Sequence, residues 1–217
     1  ISGSSAPAMH LPSAWRERGW WRPAEQESLL PPFERSGRGI LIASASCSEA
    51  TCQQNAWLES RGCLTLTLHA LELASVEQSW SSEVNKAISA LQQGRTCLIK
   101  TSTDTYRVHR HFKQQNQTEI EIGERIVQSF ATVIREIVNA FRPEGLILAG
   151  GETSSTISRV LELGALRIGP NIEPGVPVCL SIGQLAFPVV LKSGNFGSEN
   201  FYGRAIDAIR GLSSPRA

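Results

Sequence analysis

Three short stretches of glycine and serine each follow an apolar run of the sequence, and residues of these types can bind an anion. They are residues 43–48, 150–155 and 192–197. Glycine lets a ligand approach the backbone closely, and the first N–H groups of a helix have no acceptor within that helix. Such N–H groups, assisted by the helix dipole, bind phosphate oxygens. The sequence therefore offers three candidate phosphate-binding turns.

The first stretch supplies hydroxyl groups, because Ser46 and Ser48 flank the start of a predicted helix. Both hydroxyls can donate to a phosphate beside the free N–H groups of the helix. Taken alone, this stretch is more typical of a serine N-cap with nothing bound. Cys47 has no histidine near it in the sequence, so the pattern does not indicate a cysteine nucleophile.

The second stretch, Gly150-Gly151-Glu152-Thr153, follows an apolar strand directly and opens a helix. Two glycines permit a positive φ and leave the approach to the backbone open, while Thr153 and Ser154 can add hydroxyl donors. The stretch is neither GxGxxG nor GxxxxGK[ST], so it lacks the dinucleotide and P-loop signatures. Glu152 either positions Mg²⁺ through water or simply sits in a favourable first helical turn, and the second interpretation is preferred.

The third stretch combines a cation with flexible backbone. Lys192 ends an apolar strand, and Gly194, Asn195 and Gly197 follow it. The lysine can neutralise phosphate charge. The alternatives are a surface lysine whose stem lies along apolar neighbours and an ordinary turn.

An alternation of strands and helices must position these turns. The predicted strands lie near 40–44, 63–68, 96–101, 145–149, 165–169, 176–181 and 187–192. The predicted helices are 48–60, 76–93, 126–141, 153–163 and 199–210. This alternation predicts an α/β domain with a mostly parallel sheet and helices on both faces. Since ligands bind beyond the carboxyl ends of such strands, all three turns are expected at one edge, as a nucleotide phosphate site.

Residues 1–38 differ in composition from residues 39–217 and are predicted to form an arm or linker before the nucleotide-binding domain. They contain Trp15, Trp20 and Trp21 among arginines. Tryptophans in such a segment favour packing on a surface, and a basic aromatic patch for nucleic acid is the less favoured alternative.

Composition excludes several classes of protein. The 217 residues carry 21 Lys and Arg against 20 Asp and Glu, a net charge of +1, which argues against nucleic acid or anionic lipid as partner. No apolar run of membrane-spanning length occurs, and the five cysteines contain no CxxC pair. They are predicted to be reduced thiols of a cytoplasmic protein. A start at Ile1 without a leader suggests a piece of a longer protein.

His109 and His111, with Asp104 nearby in the sequence, are a further candidate for a catalytic or metal-binding cluster. Two histidines fall short of a metal ligand set, so a solvated loop is predicted there, and the aspartate is typical of a turn. No metal site is predicted.

Four segments together resemble a known family. They are Ser46-Cys47-Ser48, Gly150–Ser154, Leu166–Gly169 continuing through Glu173–Pro177, and Leu191–Gly197. Their order and spacing over roughly residues 39–211 are similar to the C-terminal half of the four-carbon acid sugar kinases.

The resemblance implies an ATP-dependent kinase of a 3-oxo-tetronate, erythronate or threonate type of acid. It implies that Ser46 or Ser48, the turn 150–153 and Gly194 contact ATP, with Mg²⁺ beside the phosphates. It also implies that an N-terminal half outside this chain holds the sugar acid and supplies the catalytic acidic group. The chain alone is then expected to bind nucleotide and transfer phosphate poorly. A homo-oligomer is a further expectation. The alternative is a stand-alone module that binds a nucleotide or phosphometabolite without catalysis.

Overall fold

The computed structural model describes residues 10–22, 30, 38–75, 79–102 and 118–212. Within these residues the strands are β1 (Ile40–Ser44), β2 (Leu64–Leu68), β3 (Cys97–Thr101), β4 (Gly145–Ala149), β5 (Ala165–Glu173), β6 (Val176–Ile182) and β7 (Pro188–Lys192). The helices are α1 (Leu11–Glu17), α2 (Glu49–Ser60), α3 (Ala70–Leu73), α4 (Ser81–Gln92), α5 (Glu119–Ala140), α6 (Gly151–Val160) and α7 (Phe201–Gly211).

The strands form one seven-stranded sheet in the order β2-β3-β1-β4-β7-β6-β5. The first five strands of this order are parallel to one another, whereas β6 runs antiparallel to both β7 and β5. The predicted mostly parallel α/β sheet is therefore confirmed. The antiparallel hairpin at one edge follows from the short turn between β5 and β6, since a parallel pair needs a long crossover.

Helices cover both faces of the sheet, as predicted. On one face α4, α5 and α6 bury side chains such as Leu91, Ile134 and Ile157 against the sheet. On the other face Leu58 of α2 and Phe201 of α7 pack on the opposite side of the same strands. Burial from both sides explains why β1 and β4 read as uninterrupted apolar runs.

Several element boundaries differ from the sequence predictions. Helix α5 begins at Glu119, because Thr118 and Glu121 form a capping box before the apolar face starts. The predicted helix over 76–93 was wrong at its start: α4 begins at Ser81, and the short α3 lies before it. Strand β5 continues to Glu173, four residues beyond the predicted end.

The described part of the N-terminal arm carries exposed tryptophans. Helix α1 has no buried residue, and Trp15, Trp20 and Trp21 are 41%, 72% and 39% exposed. Arg16 and Arg18 lie over the Trp21 and Trp20 rings. Packing of these rings on a surface therefore stays a prediction, as does the division into an arm of 1–38 and a domain of 39–217.

No helix among the described residues is both long enough and apolar enough to cross a bilayer. His109, His111 and Asp104 lie outside the described residues.

Candidate functional site

The three predicted turns follow three neighbouring strands at the centre of the sheet. β4 lies between β1 and β7, and Ala149 pairs with Ser44 on one side and Lys192 on the other. The strands therefore end in one row, from which all three turns leave the same edge. After β1 the chain forms β2 and β3 on one side of β1, and it then crosses to form β4 on the other side. The row of strand ends therefore lies at the topological switch point, where open sheets bind ligands.

The turns also touch one another. A methyl group built on Gly194 would lie 2.7 Å from Ser46 Oγ and 2.9 Å from Ser48 Oγ. One built on Gly150 would lie 3.1 Å from Ser46 Cβ. The Gly150 N–H donates to the Lys192 carbonyl at 2.8 Å. The first turn is thus in contact with both of the others.

The first turn is organised by its own hydroxyl groups. Ser48 is the N-cap of α2, and its Oγ accepts from the Thr51 N–H, as the sequence predicted. Ser46 Oγ accepts from the Ser48 N–H at 3.2 Å. Cys47 between them is exposed as a residue, but partial desolvation of its thiol, together with the neighbouring Cys52, raises its pKa. A raised pKa disfavours the thiolate, which is the nucleophilic form of cysteine. That Cys47 is not a nucleophile stays a prediction.

The second turn requires glycine at its first position. Gly150 has φ 115° and ψ 133°, and a Cβ there would come within 2.9 Å of Thr153 Oγ1. Gly151 is exposed, and a Cβ on it would meet nothing within 4 Å. The N–H groups of Gly151, Glu152 and Thr153 form the first turn of α6, where helical geometry offers them no acceptor.

The hydroxyl of Ser154, predicted to be a ligand donor, is used inside the domain. Ser154 Oγ donates to the Leu148 carbonyl at 3.2 Å, and the residue is buried. That prediction was therefore wrong, because the hydroxyl proton is used by a carbonyl of the strand that precedes the helix.

Alanine at Gly150 and alanine at Gly151 are expected to differ in their effect on the free energy of unfolding, because only Gly150 has a backbone conformation that requires glycine. Gly150→Ala should lower the free energy of unfolding by roughly 1–3 kcal/mol, because alanine is strained at this φ and meets Thr153. Gly151→Ala should change it by less than about 0.5 kcal/mol. Urea unfolding of both variants measures the difference, and equal midpoints would contradict the assigned backbone conformation.

The third turn directs its carbonyl groups toward α2. The Gly194 carbonyl accepts from Ser48 Oγ at 2.7 Å and from Thr51 Oγ1 at 2.8 Å. Gln54 Nε2 lies 3.1, 3.0 and 3.0 Å from the carbonyl oxygens of Phe196, Gly197 and Ser198. These four carbonyl groups are therefore occupied by the protein itself.

The N–H groups of the third turn are distributed differently. Phe196 donates to the Ser193 carbonyl, and Ser198 donates to the Glu173 carboxylate at 2.9 Å. Within the described residues the N–H groups of Gly194, Asn195 and Gly197 have no acceptor. This turn thus presents three spare N–H donors, which an anion requires.

Lys192 lies beneath the third turn. It is 1% exposed, and its Nζ lies 3.0 Å from Thr51 Oγ1, 3.0 Å from the Ser193 carbonyl and 3.1 Å from the Gly194 carbonyl. The surface-lysine alternative was therefore wrong. Burial lowers the pKa of Lys192 from 10.5 to about 8, and within the described residues it forms no ion pair with a carboxylate.

Three residues that hold the turns were missed from the sequence. Thr51 and Gln54 follow Ser48 at steps of three, a spacing that places them on one helix face and could have suggested the contact. Glu173 accepts from the Ser198 N–H and hydroxyl and pairs with Arg204, and these contacts lower its pKa. No local signal links Glu173 to a turn more than twenty residues away.

An open cleft of about 690 Å³ lies between α5 and α6, beside the second turn. Its lining includes Arg125 and Gln128 from α5 and Glu152, Thr156 and Arg159 from α6. Glu152 is exposed, lines this cleft and belongs to the second turn as well. In the part of the chain that the structure covers, no three His, Cys, Asp or Glu side chains group closely enough to hold a metal ion.

Comparison with known proteins agrees with this architecture. A family described as the nucleotide-binding C-terminal domain matches residues 41–202, which include all three turns. A 3-oxo-tetronate kinase of Pseudomonas fluorescens is 31% identical over 215 residues, covering 97% of this chain and 47% of the relative. A D-threonate kinase of Salmonella typhimurium is 27% identical over 175 residues, covering 77% of this chain and 41% of the relative. This chain thus spans about half the length of the curated relatives it matches.

Solved structures share the fold. A Haemophilus influenzae protein is 23% identical with a TM-score of 0.66, over 91% of this chain and 45% of that one. A Bordetella bronchiseptica domain of unknown function, crystallised with citrate as a domain-swapped dimer, is 22% identical with a TM-score of 0.65, over 81% and 42%. From the matched span and the relatives together, this chain belongs to the family of nucleotide-binding C-terminal domains of the four-carbon acid sugar kinases.

Proposed function

We propose that this chain is the ATP-binding part of a kinase that phosphorylates a four-carbon sugar acid of the 3-oxo-tetronate, erythronate or threonate type. The kinase names of its relatives support this proposal. The phosphates of ATP would lie against the three turns. The acidic catalytic group and most contacts to the sugar acid would come from a part of the protein outside this chain.

The observation that carries the proposal is the arrangement of polar backbone groups at the three turns. The second turn offers the N–H groups of residues 151–153, and the third offers those of Gly194, Asn195 and Gly197. Ser46 lies between these two turns, whereas the Ser48 hydroxyl donates to the Gly194 carbonyl and is used inside the protein. Phosphoryl transfer depends mainly on positioning and on charge stabilisation, which many fixed donors around a polyphosphate provide.

The cleft between α5 and α6 suits the remainder of the nucleotide. Its volume of about 690 Å³ lies in the range of small-molecule sites. It opens beside Glu152, next to the second turn, so a ligand whose phosphates bind the turns can extend into it. The nucleoside of ATP is assigned to this cleft.

Mg²⁺ would arrive bound to ATP rather than in a preformed protein cage. The described residues contain no cluster of three possible metal ligands, and Mg²⁺ commonly keeps several waters beside substrate phosphates. Glu152 is the carboxylate of the turn that can contact this hydrated ion.

The proposed setting is a cytoplasmic enzyme that self-associates. All five cysteines are free thiols, which fits a reducing compartment. The edge hairpin β5–β6 exposes Ile168 and Ile182 to 67% and 50%, which fits contact with a second copy. Sedimentation velocity tests this assembly, and a concentration-independent monomer would exclude it.

Calorimetric titration of MgATP into the 217-residue chain tests the proposed function. We expect saturable binding of one nucleotide with a Kd between about 1 μM and 1 mM, the usual range for kinase substrates. Inorganic sulfate at the same concentration is the control for general anion binding. With 3-oxo-tetronate, erythronate or threonate added, the chain alone should release no ADP.

The outcomes of this titration are distinct. Absence of binding at millimolar MgATP would refute the proposed function. Nucleotide binding combined with inactivity of a longer protein that contains this chain would instead favour a binding module without catalysis.

A further inference from the structure

Gln54 lies on the face of α2 that contacts the third turn. It follows Ser48 and Thr51 at steps of three residues, so the three side chains form one polar stripe along the helix. Ser48 is half-buried, whereas Thr51 and Gln54 are fully buried. Each of the three donates to a carbonyl group of residues 194–198.

The Gln54 side-chain amide is the principal support of the end of this turn. Its two N–H bonds serve three carbonyl oxygens, and the Phe196 and Gly197 oxygens have no other donor among the described residues. The Ser198 oxygen also accepts from the Phe201 N–H. Loss of the Gln54 amide would therefore leave the carbonyl groups of Phe196 and Gly197, whose bonds to it are partly buried, without a partner in the described chain.

The orientation of the Gln54 amide is determined by its surroundings. Rotation of the amide by 180° would place Oε1 against three carbonyl oxygens, which is repulsive. In the observed orientation Oε1 is buried and has no partner within the described chain. A buried unpaired oxygen costs stability, so the residue is not explained by stability alone.

The carbonyl bonds determine where the N–H groups of the turn point. In a trans peptide the C=O of one residue and the N–H of the next point in opposite directions. Carbonyl groups of Gly194 and Phe196 directed at α2 therefore direct the N–H groups of Asn195 and Gly197 away from it. The Ser198 N–H, opposite the Gly197 carbonyl, already donates to a carboxylate of Glu173 at 2.9 Å.

We infer that Gln54 is a positioning residue for nucleotide binding: it holds the third turn so that the N–H groups of Asn195 and Gly197 stay directed at the phosphates. This inference rests on the proposed function. Gln54 itself does not touch the nucleotide, since its N–H groups are occupied by the turn.

The test compares Gln54→Met with Asn55→Leu in the 217-residue chain, using MgADP as the probe. Methionine has nearly the length of glutamine but cannot donate. Asn55 is the adjacent buried polar residue, and its Oδ1 accepts from the Tyr202 hydroxyl, away from the turn. We expect Gln54→Met to weaken MgADP binding by about tenfold or more, and Asn55→Leu by less than about threefold.

Two further measurements keep the inference open to refutation. Amide hydrogen exchange at the two hydrogen-bonded N–H groups of the turn, those of Phe196 and Ser198, should accelerate in Gln54→Met and stay unchanged in Asn55→Leu. If Gln54→Met does not fold, Gln54→Asn replaces it, because the shorter side chain keeps the amide but falls short of the carbonyl groups.

The outcomes separate the inference from the proposed function. If wild-type protein binds MgADP and the folded Gln54 variant binds it equally well, the positioning role is wrong and the proposed function stands. If wild-type protein binds no nucleotide, the proposed function itself fails.

Discussion

Gly151→Val is expected to weaken MgATP binding by about a hundredfold or more while the domain stays folded, since it blocks several backbone donors at once. Gly151 is the first residue of α6, and its Cα carries no side chain into the space before the helix. The Cα–Cβ bond of a helical residue tilts toward the N-terminus of its helix. A valine there would place two methyl groups in front of the N–H groups that we assign to phosphate.

The fold should tolerate this substitution, which makes the result interpretable. A Cβ at Gly151 meets no atom within 4 Å, and its φ is not in the left-handed region. Gly164→Val is the matched control, because that glycine lies beyond the other end of α6 and is equally open. Isothermal titration calorimetry and thermal melting should show lost affinity at Gly151 and wild-type behaviour at Gly164. Wild-type affinity in Gly151→Val would rule out phosphate binding at the second turn.

The central strands and the position of the turns could be predicted because they depend on local patterns. Strands buried on both faces are continuous apolar runs, and glycine pairs or serine caps mark where each run ends. The carboxyl-edge rule then places turns on neighbouring parallel strands together without any knowledge of side-chain contacts. Contact between Ser46 and both Gly150 and Gly194 agrees with this prediction.

The direction of individual side chains could not be predicted in this way. Lys192 follows an apolar strand, a position equally compatible with an exposed and a buried ammonium group, and only packing under the third turn decides between them. Glu173 reaches Ser198 through the pairing of β5 with β6, and that pairing is not local in sequence. The start of α5 was misplaced because a capping box, not the apolar period, determines it. The start of α4 at Ser81 was misplaced as well, and no side chain caps it.

Lys192→Met is expected to weaken MgADP binding by about 10- to 100-fold near pH 7, the range for loss of one charge-assisted contribution. The Lys192 ammonium bonds to neutral oxygens only: the Thr51 hydroxyl and two carbonyl groups. Its positive charge is therefore not cancelled locally and acts on a polyphosphate held by the turn above it. Lys86→Met, an exposed lysine on α4 whose side chain is 60% accessible, is the control.

The pH dependence of this effect has a definite sign. Burial lowers the pKa of Lys192 to about 8, and a bound polyanion favours the charged form, so binding above pH 8 takes up a proton. The Kd for MgADP should be flat between pH 7 and 7.5 and rise toward about tenfold per pH unit above 8. Phosphate groups titrate near pH 6, below this window. In Lys192→Met the rise should disappear.

The contribution of Lys192 to the free energy of unfolding should rise with pH while the affinity for MgADP falls. This difference distinguishes deprotonation of Lys192 from alkaline unfolding. The unfolded chain holds the Lys192 proton up to its ordinary pKa of 10.5, whereas the folded chain releases it near 8. Between these values the unfolded state binds more protons, so the contribution of Lys192 to the free energy of unfolding rises with pH. Below pH 8 both states are protonated, and the cost of burying the charge is present in full. From pH 8 to 9 we expect wild-type protein to bind MgADP more weakly and, at the same time, to gain stability relative to Lys192→Met. Both changes together would fit a buried cation that contributes to nucleotide binding. A parallel loss of affinity and relative stability would contradict it.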